Sequence, residues 1–152
     1  MKAVVTRVKS ASVTIGGHVE GAIGKGYLVL LGIGPEDTEE QADFLAEKIV
    51  NLRVFADEQG KMNLNISQAG GEVLVVSQFT LYADLASRRP GFSHAAPPSL
   101  AEPLYVYFLD KLREKGFPPR HGSFGADMLV ESVNDGPVTL LFDTDEMRKK
   151  KA

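Results

Sequence analysis

Glu72-Val73-Leu74-Val75-Val76-Ser77-Gln78-Phe79-Thr80-Leu81 is the stretch that decides how this chain folds. It follows a Gly70-Gly71 turn and opens as a run of β-branched and aliphatic residues, which predicts a strand buried on both faces. Then it stops being apolar: Ser77, Gln78 and Thr80 surround Phe79 at the carboxyl end. A buried polar group without a partner costs about 1–3 kcal/mol, so a core strand has little use for two hydroxyls and an amide in four residues. Ends of buried strands are also where ligand sites are built. These groups either pair with neighbouring backbone as the strand leaves the sheet or face a ligand.

Upstream, Met62, Leu64 and Ile66 alternate with Asn63 and Asn65 and predict a strand behind the turn at Asp57-Glu58-Gln59-Gly60. Before it, Ala42, Leu45, Ala46, Ile49 and Leu52 recur at helical spacing. Asp37-Thr38-Glu39-Glu40 has the form of a capping box at that helix's start. Tyr27 to Ile33 predicts a central strand, Gly16-Gly17 a hairpin turn, and Ser10 to Ile15 an alternating half-buried strand. Ala3 to Val8 reads as a separate first strand.

Downstream, Tyr82 to Pro98 is irregular, and a loop of that length beside a polar strand end points to function. Ser99 and Glu102 suggest a second capping box, Leu104, Tyr105, Phe108, Leu109 and Leu112 a second buried helix face, and Gly116 its end. Met128 to Val133 and Val138 to Phe142 read as a closing hairpin joined by Asn134-Asp135-Gly136-Pro137. The order predicts one α+β domain over residues 1–143, a mixed or antiparallel sheet with two main helices on one side. Residues 144–152 read as a basic, flexible tail.

Seventeen Lys and Arg against twenty Asp and Glu give a net charge of −3. A sequence-blind nucleic-acid binder is normally basic, so any such contact here is local, with Arg88-Arg89 and the tail Arg148-Lys149-Lys150-Lys151 as candidate patches. Taken alone, each patch reads equally well as solvated surface. The absence of cysteine excludes disulfides, a thiol nucleophile and Cys-ligated zinc. No signal peptide or membrane-length apolar run is present, and the expected location is the cytoplasm.

The familiar catalytic motifs are absent: no Gly-x-Ser-x-Gly, no His-Glu-x-x-His and no phosphate-binding Gly-x-x-x-x-Gly-Lys. His18, His94 and His121 lack metal-ligand spacing; only His94 lies in the functional-looking loop. Ser77 or Thr80 would serve as nucleophile only with a base in reach, and the sequence shows none. The alternative is a site that positions and polarises, with amide donors holding an oxyanion. No metal or cofactor is called for.

Ser77-Gln78-Phe79-Thr80-Leu81 and Asn134-Asp135-Gly136-Pro137-Val138-Thr139 together resemble the signature motifs of the D-aminoacyl-tRNA deacylases. Arg7-Val8, Ala11-Ser12-Val13-Thr14, Gly60-Lys61-Met62-Asn63, Ala95-Ala96-Pro97-Pro98 and Gly125-Ala126-Asp127-Met128 fit in order and spacing, so the likeness runs from Met1 to about Asp143. The resemblance implies hydrolysis of the ester between a D-amino acid, or glycine, and the terminal ribose of tRNA. It implies a homodimer with no DNA or membrane partner. In it, Gly136 and Pro137 of one subunit, joined by a cis bond, reach into the partner's pocket and reject L-amino acids. Ser77, Gln78, Phe79 and Thr80 line that pocket, and Arg7 holds the Gly-Pro segment. The family chemistry is assigned to the tRNA's 2′-hydroxyl and main-chain groups, or to Thr80 as nucleophile, so the role of Thr80 is open. By base rate alone Gly136-Pro137 would be trans, since only about 5–6% of X-Pro bonds are cis.

One departure is visible: Gly91 follows Arg89-Pro90 where the family commonly has Ser. Two other readings compete: an inert RNA-binding module on the same scaffold, and a small-molecule esterase using Thr80 or Ser77 covalently. Intact Ser77 to Thr80 and Gly136-Pro137 argue against the first, and a trapped acyl-enzyme would mark the second.

Overall fold

Two apolar runs, Tyr27 to Leu31 and Val73 to Val76, lie side by side and parallel in the centre of the molecule. The computed structural model describes residues 1–149. In chain order the elements are β1 (Lys2–Ile15), β2 (His18–Ile23), β3 (Gly26–Gly32), α1 (Glu39–Asn51), β4 (Phe55–Ala56), β5 (Met62–Leu64) and α2 (Ile66–Ala69). There follow β6 (Glu72–Ser77), a 3₁₀ turn (Phe79–Tyr82), α3 (Pro98–Glu114), β7 (Arg120–His121), β8 (Leu129–Asp143) and α4 (Thr144–Lys149). The main sheet runs β2-β1-β3-β6-β7, with β8 along the other side of β1. β1 is antiparallel to β2, β3 and β8, whereas β3, β6 and β7 are parallel, so the fold is α+β with a mixed sheet.

Period-two alternation assigns the two faces. Val73 and Val75 of β6 join Tyr27, Val29 and Leu31 in the larger core beneath α1 and α3. Leu74 and Val76 join Val8, Ala11, Val13, Ile23 and Leu28 in a second cluster on the opposite face. The sheet curls over that cluster until β2 meets β7: a Cβ on Gly21 would stand 3.2 Å from the Arg120 Cβ. β6 is thus buried on both faces, as its composition predicts, with α1 and α3 on one side only.

Several local expectations are corrected. Ala3–Val8 and Ser10–Ile15 are one strand, not two. Ala3 and Val5 face the helices while Val8, Ala11 and Val13 face the second cluster, and the pairing shifts register on both sides of Val8. That change of phase looks like a break in the sequence. The closing hairpin is not a hairpin. Both its halves pair with β1, from Lys2 opposite Asp143 to Thr14 opposite Leu129. Two steps along β1, Thr6 to Val8, answer to five along β8, Thr139 to Asn134, so Asp135 to Val138 swing out of the ladder. A bulge of this kind suits Pro137, which has no N–H to give. The Gly136-Pro137 bond is cis.

Helix ends also differ from expectation. Thr38, not Asp37, caps α1: its Oγ1 accepts from the Glu40 amide at 3.3 Å and its amide donates to Gln41 Oε1 at 2.7 Å. The Asp37 carboxylate is buried, accepting from the Met1 α-ammonium at 2.8 Å and the Gly34 amide at 2.7 Å. α3 begins at Pro98 rather than behind a Ser99 cap, because the missing proline N–H costs nothing at a first helical position. Gly116 ends it as expected, at φ +91°, with Phe117 N–H donating to the Leu112 carbonyl at 2.8 Å. Ile66 does not extend β5; it starts α2, capped by Asn65. Residues 144–149, read from sequence as flexible tail, form α4, with Thr144 buried and its hydroxyl accepting from the Met1 ammonium at 2.9 Å. Residues 150–152 of that tail lie outside the described residues.

Gly26 sets the register of β3 against β6: a Cβ there would stand 1.8 Å from the Glu72 carbonyl oxygen, and its φ is +156°. Gly26→Ala is expected to cost more than about 4 kcal/mol, or to prevent soluble folding. Urea unfolding followed by circular dichroism checks this.

Candidate active site

Ser77, the last residue of β6, lies opposite Leu31 at the open end of the parallel pair. The Gln78 amide still donates to the Leu31 carbonyl at 2.7 Å, and the chain then tightens into the 3₁₀ turn. The turn can pack this close because β3 ends in glycines: a Cβ on Gly34 would come within 3.0 Å of the Tyr82 ring, and one on Gly32 within 3.0 Å of the Gln78 carbonyl. Burial pushes the Tyr82 phenol up, reinforced by Asp37, Asp143 and Asp145, so this ring is a neutral buttress. Lys2 Nζ lies 4.7 Å from its centroid.

The turn borders a cavity of about 600 Å³. Leu31, Ile33, Val76, Ser77, Gln78 and Phe79 form one wall, from the ends of β3 and β6. Phe92 and the stretch Ala95 to Pro98, with Ala101 of α3, form another; residues 124–128 and Val130 close it. The Ala96 amide donates to the Ile33 carbonyl at 2.9 Å, which ties the loop to β3. Phe79 and Phe92 meet edge to face at 5.1 Å. Alanines at 95, 96, 101 and 126 leave the space that larger side chains would fill.

Ser77, Gln78 and Phe79 line this cavity. Thr80 stands beside it, its hydroxyl accepting from Gln78 Nε2 at 2.5 Å. An amide NH₂ cannot take a proton from that hydroxyl, and no histidine comes to it: His94 pairs with Asp84 at 3.7 Å, and His121 Nδ1 lies 2.7 Å from the Gly122 carbonyl. The Phe79 and Thr80 amides precede the first bond of the turn, Leu81 N–H to the Gln78 carbonyl. They have no carbonyl partner among the described residues and can serve as donors.

Arg7, Gly136 and Pro137 gather elsewhere and do not line the cavity. Arg7 Nε donates to the Asp135 carbonyl at 3.2 Å and lies 3.5 Å from its carboxylate, while Nη1 donates to the Val54 carbonyl at 2.5 Å. Gly136 and Pro137 are exposed on the bulge so held. Sequence reasoning marked the Tyr82 to Pro98 loop as functional but singled out neither Phe92 nor Ala95 to Pro98 as lining a site, and Gly125 to Met128 entered only through the resemblance. The signal was available in the short alanine and proline runs that frame the resemblance.

Residues 4–143 match the family model described as D-Tyr-tRNA(Tyr) deacylase. A D-aminoacyl-tRNA deacylase of Symbiobacterium thermophilum is 57% identical over 147 residues, covering 96% of this chain and 97% of that protein. One from a Roseiflexus species is 56% identical over 152 residues, covering 99% and 98%. Among solved structures, one described as c-Myc DNA Unwinding Element Binding Protein superposes with a TM-score of 0.90 at 47% identity, covering 94% of this chain and 98% of that one. Another, described as a probable eukaryotic D-amino acid tRNA deacylase, shares the fold at a TM-score of 0.80 and 15% identity, covering 93% and 98%.

Arg7→Ala leaves two partly buried carbonyls without their donor, at an expected cost of about 1–3 kcal/mol. A chain of this size should lose roughly 2–4 °C in Tm per kcal/mol. Amide exchange should quicken across residues 134–139 while α1 and α3 stay protected, which hydrogen-exchange mass spectrometry would read.

Proposed function

The chain belongs to the D-Tyr-tRNA(Tyr) deacylase family, and from that premise we propose that its cavity hydrolyses the ester of D-aminoacyl-tRNA and of glycyl-tRNA. It is an enzyme, a hydrolase of the aminoacyl-tRNA ester bond. The observation that carries the reading is the polar end of β6, Ser77 and Gln78, opening into a largely apolar cavity, with Asp127 also in its lining, beside amides that have no carbonyl partner among the described residues. The terminal ribose and ester carbonyl sit against that polar end. Water attacks the ester carbonyl, the amides of Phe79 and Thr80 stabilise the oxyanion, and the 2′-hydroxyl of the substrate passes the proton to the departing 3′-oxygen, since neither Ser77 nor Thr80 is hydrogen-bonded to a base among the described residues. Ser77, Gln78, Phe79 and Thr80 bind and position. Loss of one oxyanion donor typically costs a hundredfold or more, so positioned amides supply rate without a nucleophile from the protein.

The enzyme acts as a homodimer in which Gly136 and Pro137 of the partner subunit close each pocket. Two observations support this. The pair is exposed and stands apart from its own cavity, held out by Arg7. In addition, among the described residues β8 pairs only with β1, and it exposes Leu129 (72%), Val133 (54%) and Leu141 (83%), an apolar sheet edge that calls for a cover. A main-chain wall at the α-carbon excludes an L side chain by clash, so rejection needs no attractive contact with the D side chain. Many D-amino acids are then accepted, and glycine has nothing to clash. Domain limits follow: residues 1–143 carry the activity, which is exercised in the cytoplasm.

Incubation with D- and L-aminoacyl-tRNA, following release of the amino acid, tests the reading; equal hydrolysis of both would refute chiral selection. Thr80→Ala should keep kcat within about tenfold, whereas Ser77→Leu, which crowds the wall, should lose about a hundredfold or more while its circular dichroism is unchanged. If Thr80→Ala is as inactive as the crowded variant, the threonine is a nucleophile. Light scattering should give a dimer with an interface above about 1,000 Å², and a stable, active monomer would rule out sharing of the pocket.

A further inference from the structure

Seven arginines stand in the sequence. Four have side-chain partners: Arg7 with Asp135, Arg53 with Asn63, Arg113 with Asp110 and Arg148 with Glu40. Arg120 shares a cleft with Glu72. Arg88 and Arg89 are exposed, adjacent and without an acidic partner among the described residues. They stand on a lobe that is built rather than loose. Asp84 and Gly91 exchange main-chain hydrogen bonds of 2.7 and 3.0 Å across its base, Asp84 Oδ1 accepts from the Ala86 amide at 3.0 Å, and Ser87 Oγ donates to the Arg89 carbonyl at 2.8 Å. Gly91 serves in that bridge through its main chain alone. Its successor Phe92 lines the cavity and packs on Phe79. Only Pro90 and Gly91 separate Arg89 from Phe92, three steps of chain with a reach of at most about 10 Å.

Like charges placed side by side without counter-ions repel, and a fold gains nothing by holding them so. Phosphates would supply the missing charge. The net charge of −3 gives the molecule no general attraction for a polyanion, so attraction must be supplied locally, at the mouth of the cavity.

We propose that Arg88 and Arg89 bind the phosphodiester backbone of the tRNA 3′ strand, just 5′ of the nucleotide whose ester enters the cavity. The inference rests on reading the cavity as the aminoacyl-ester site, and it adds the contact that distinguishes a tRNA from any smaller ester. Phosphates of a stacked strand are spaced by about 3.4 Å along the axis, so the lobe can span the first two.

The test compares the full-length protein with R88A/R89A and with the charge-preserving R88K/R89K. The substrates are D-aminoacyl-tRNA and the same D-amino acid esterified to adenosine alone. The double alanine variant should raise KM for the tRNA at least about tenfold with kcat little changed, leave the adenosine ester untouched, and be largely rescued by lysine. Two single-strand phosphate contacts contribute a log–log salt slope of about −1.4. Raising salt from 50 to 200 mM should therefore weaken tRNA binding about sevenfold more in the wild type than in the alanine variant. Unchanged kinetics on tRNA, or an equal loss on both substrates, would overturn the proposal, the latter by placing the effect in the cavity. Should the wild type hydrolyse neither ester, the functional reading fails by itself. Fluorescence anisotropy with uncharged tRNA still decides the phosphate contact, equal affinity and equal salt slope in both proteins counting against it.

Discussion

Gly26 and the main chain of Glu72 lie so close that no side chain fits between them, and the rest of the molecule depends on that approach. It holds β3 and β6 parallel and in one register, with every residue from Val73 to Val76 buried. The register in turn delivers Ser77 opposite Leu31 and lets the Gln78 amide make the last ladder bond before the chain turns. Polar groups at this strand end are therefore placed to within the tolerance of a buried sheet. Positioning of that quality is what a site without its own base requires.

A second constraint concerns β1, which has partners on both sides along most of its fourteen residues. Because β8 follows β1 throughout, a mismatch in length has nowhere to go but outward, and Asp135 to Val138 form the bulge. Arg7 comes from the same strand and braces that bulge from within, donating to the carbonyls of both Asp135 and Val54. The start of β1 is fastened too: the Met1 ammonium is buried against Asp37 and Thr144, which joins β1, the turn before α1 and the first residue of α4. A charge so deep is tolerable only because it is paired and hydrogen-bonded. The proposed selector thus projects from β8 and is braced by β1, while the pocket it would serve lies at the end of β6.

The cavity combines an apolar wall with a short polar rim, and that division suits discrimination by shape. Alanines at 95, 96, 101 and 126 set its width, and Phe79 against Phe92 sets one edge. Among the described residues neither the Ser77 nor the Thr80 hydroxyl is hydrogen-bonded to a base. Under the proposed mechanism the protein contributes amide donors and exclusion, which is enough for an ester whose neighbouring hydroxyl already lies in place.

Much of this was legible in the sequence because it depends on neighbours in the chain. The run Val73 to Val76 declared a strand buried on both faces, Ser77 and Gln78 its polar end, and Gly16-Gly17 and Gly116 their turns, which the positive φ angles bear out. Helix positions followed from the 3.6-residue period of Leu45, Ile49, Leu104 and Phe108. What the sequence could not decide was the choice of partner. Asn134-Asp135-Gly136-Pro137 looks like a hairpin turn until β1 takes up the hydrogen bonds of both flanking halves. Asp37 looks like a helix cap until the Met1 ammonium arrives from across the fold, and Thr144 looks like tail until the same ammonium fixes it. Phe92 lies in a loop the sequence marks as functional, but which of its residues meet the end of β6 is set by the fold. A main-chain donor or a buried charge is satisfied by whatever the tertiary structure brings within about 3 Å, and spacing along the chain does not encode that.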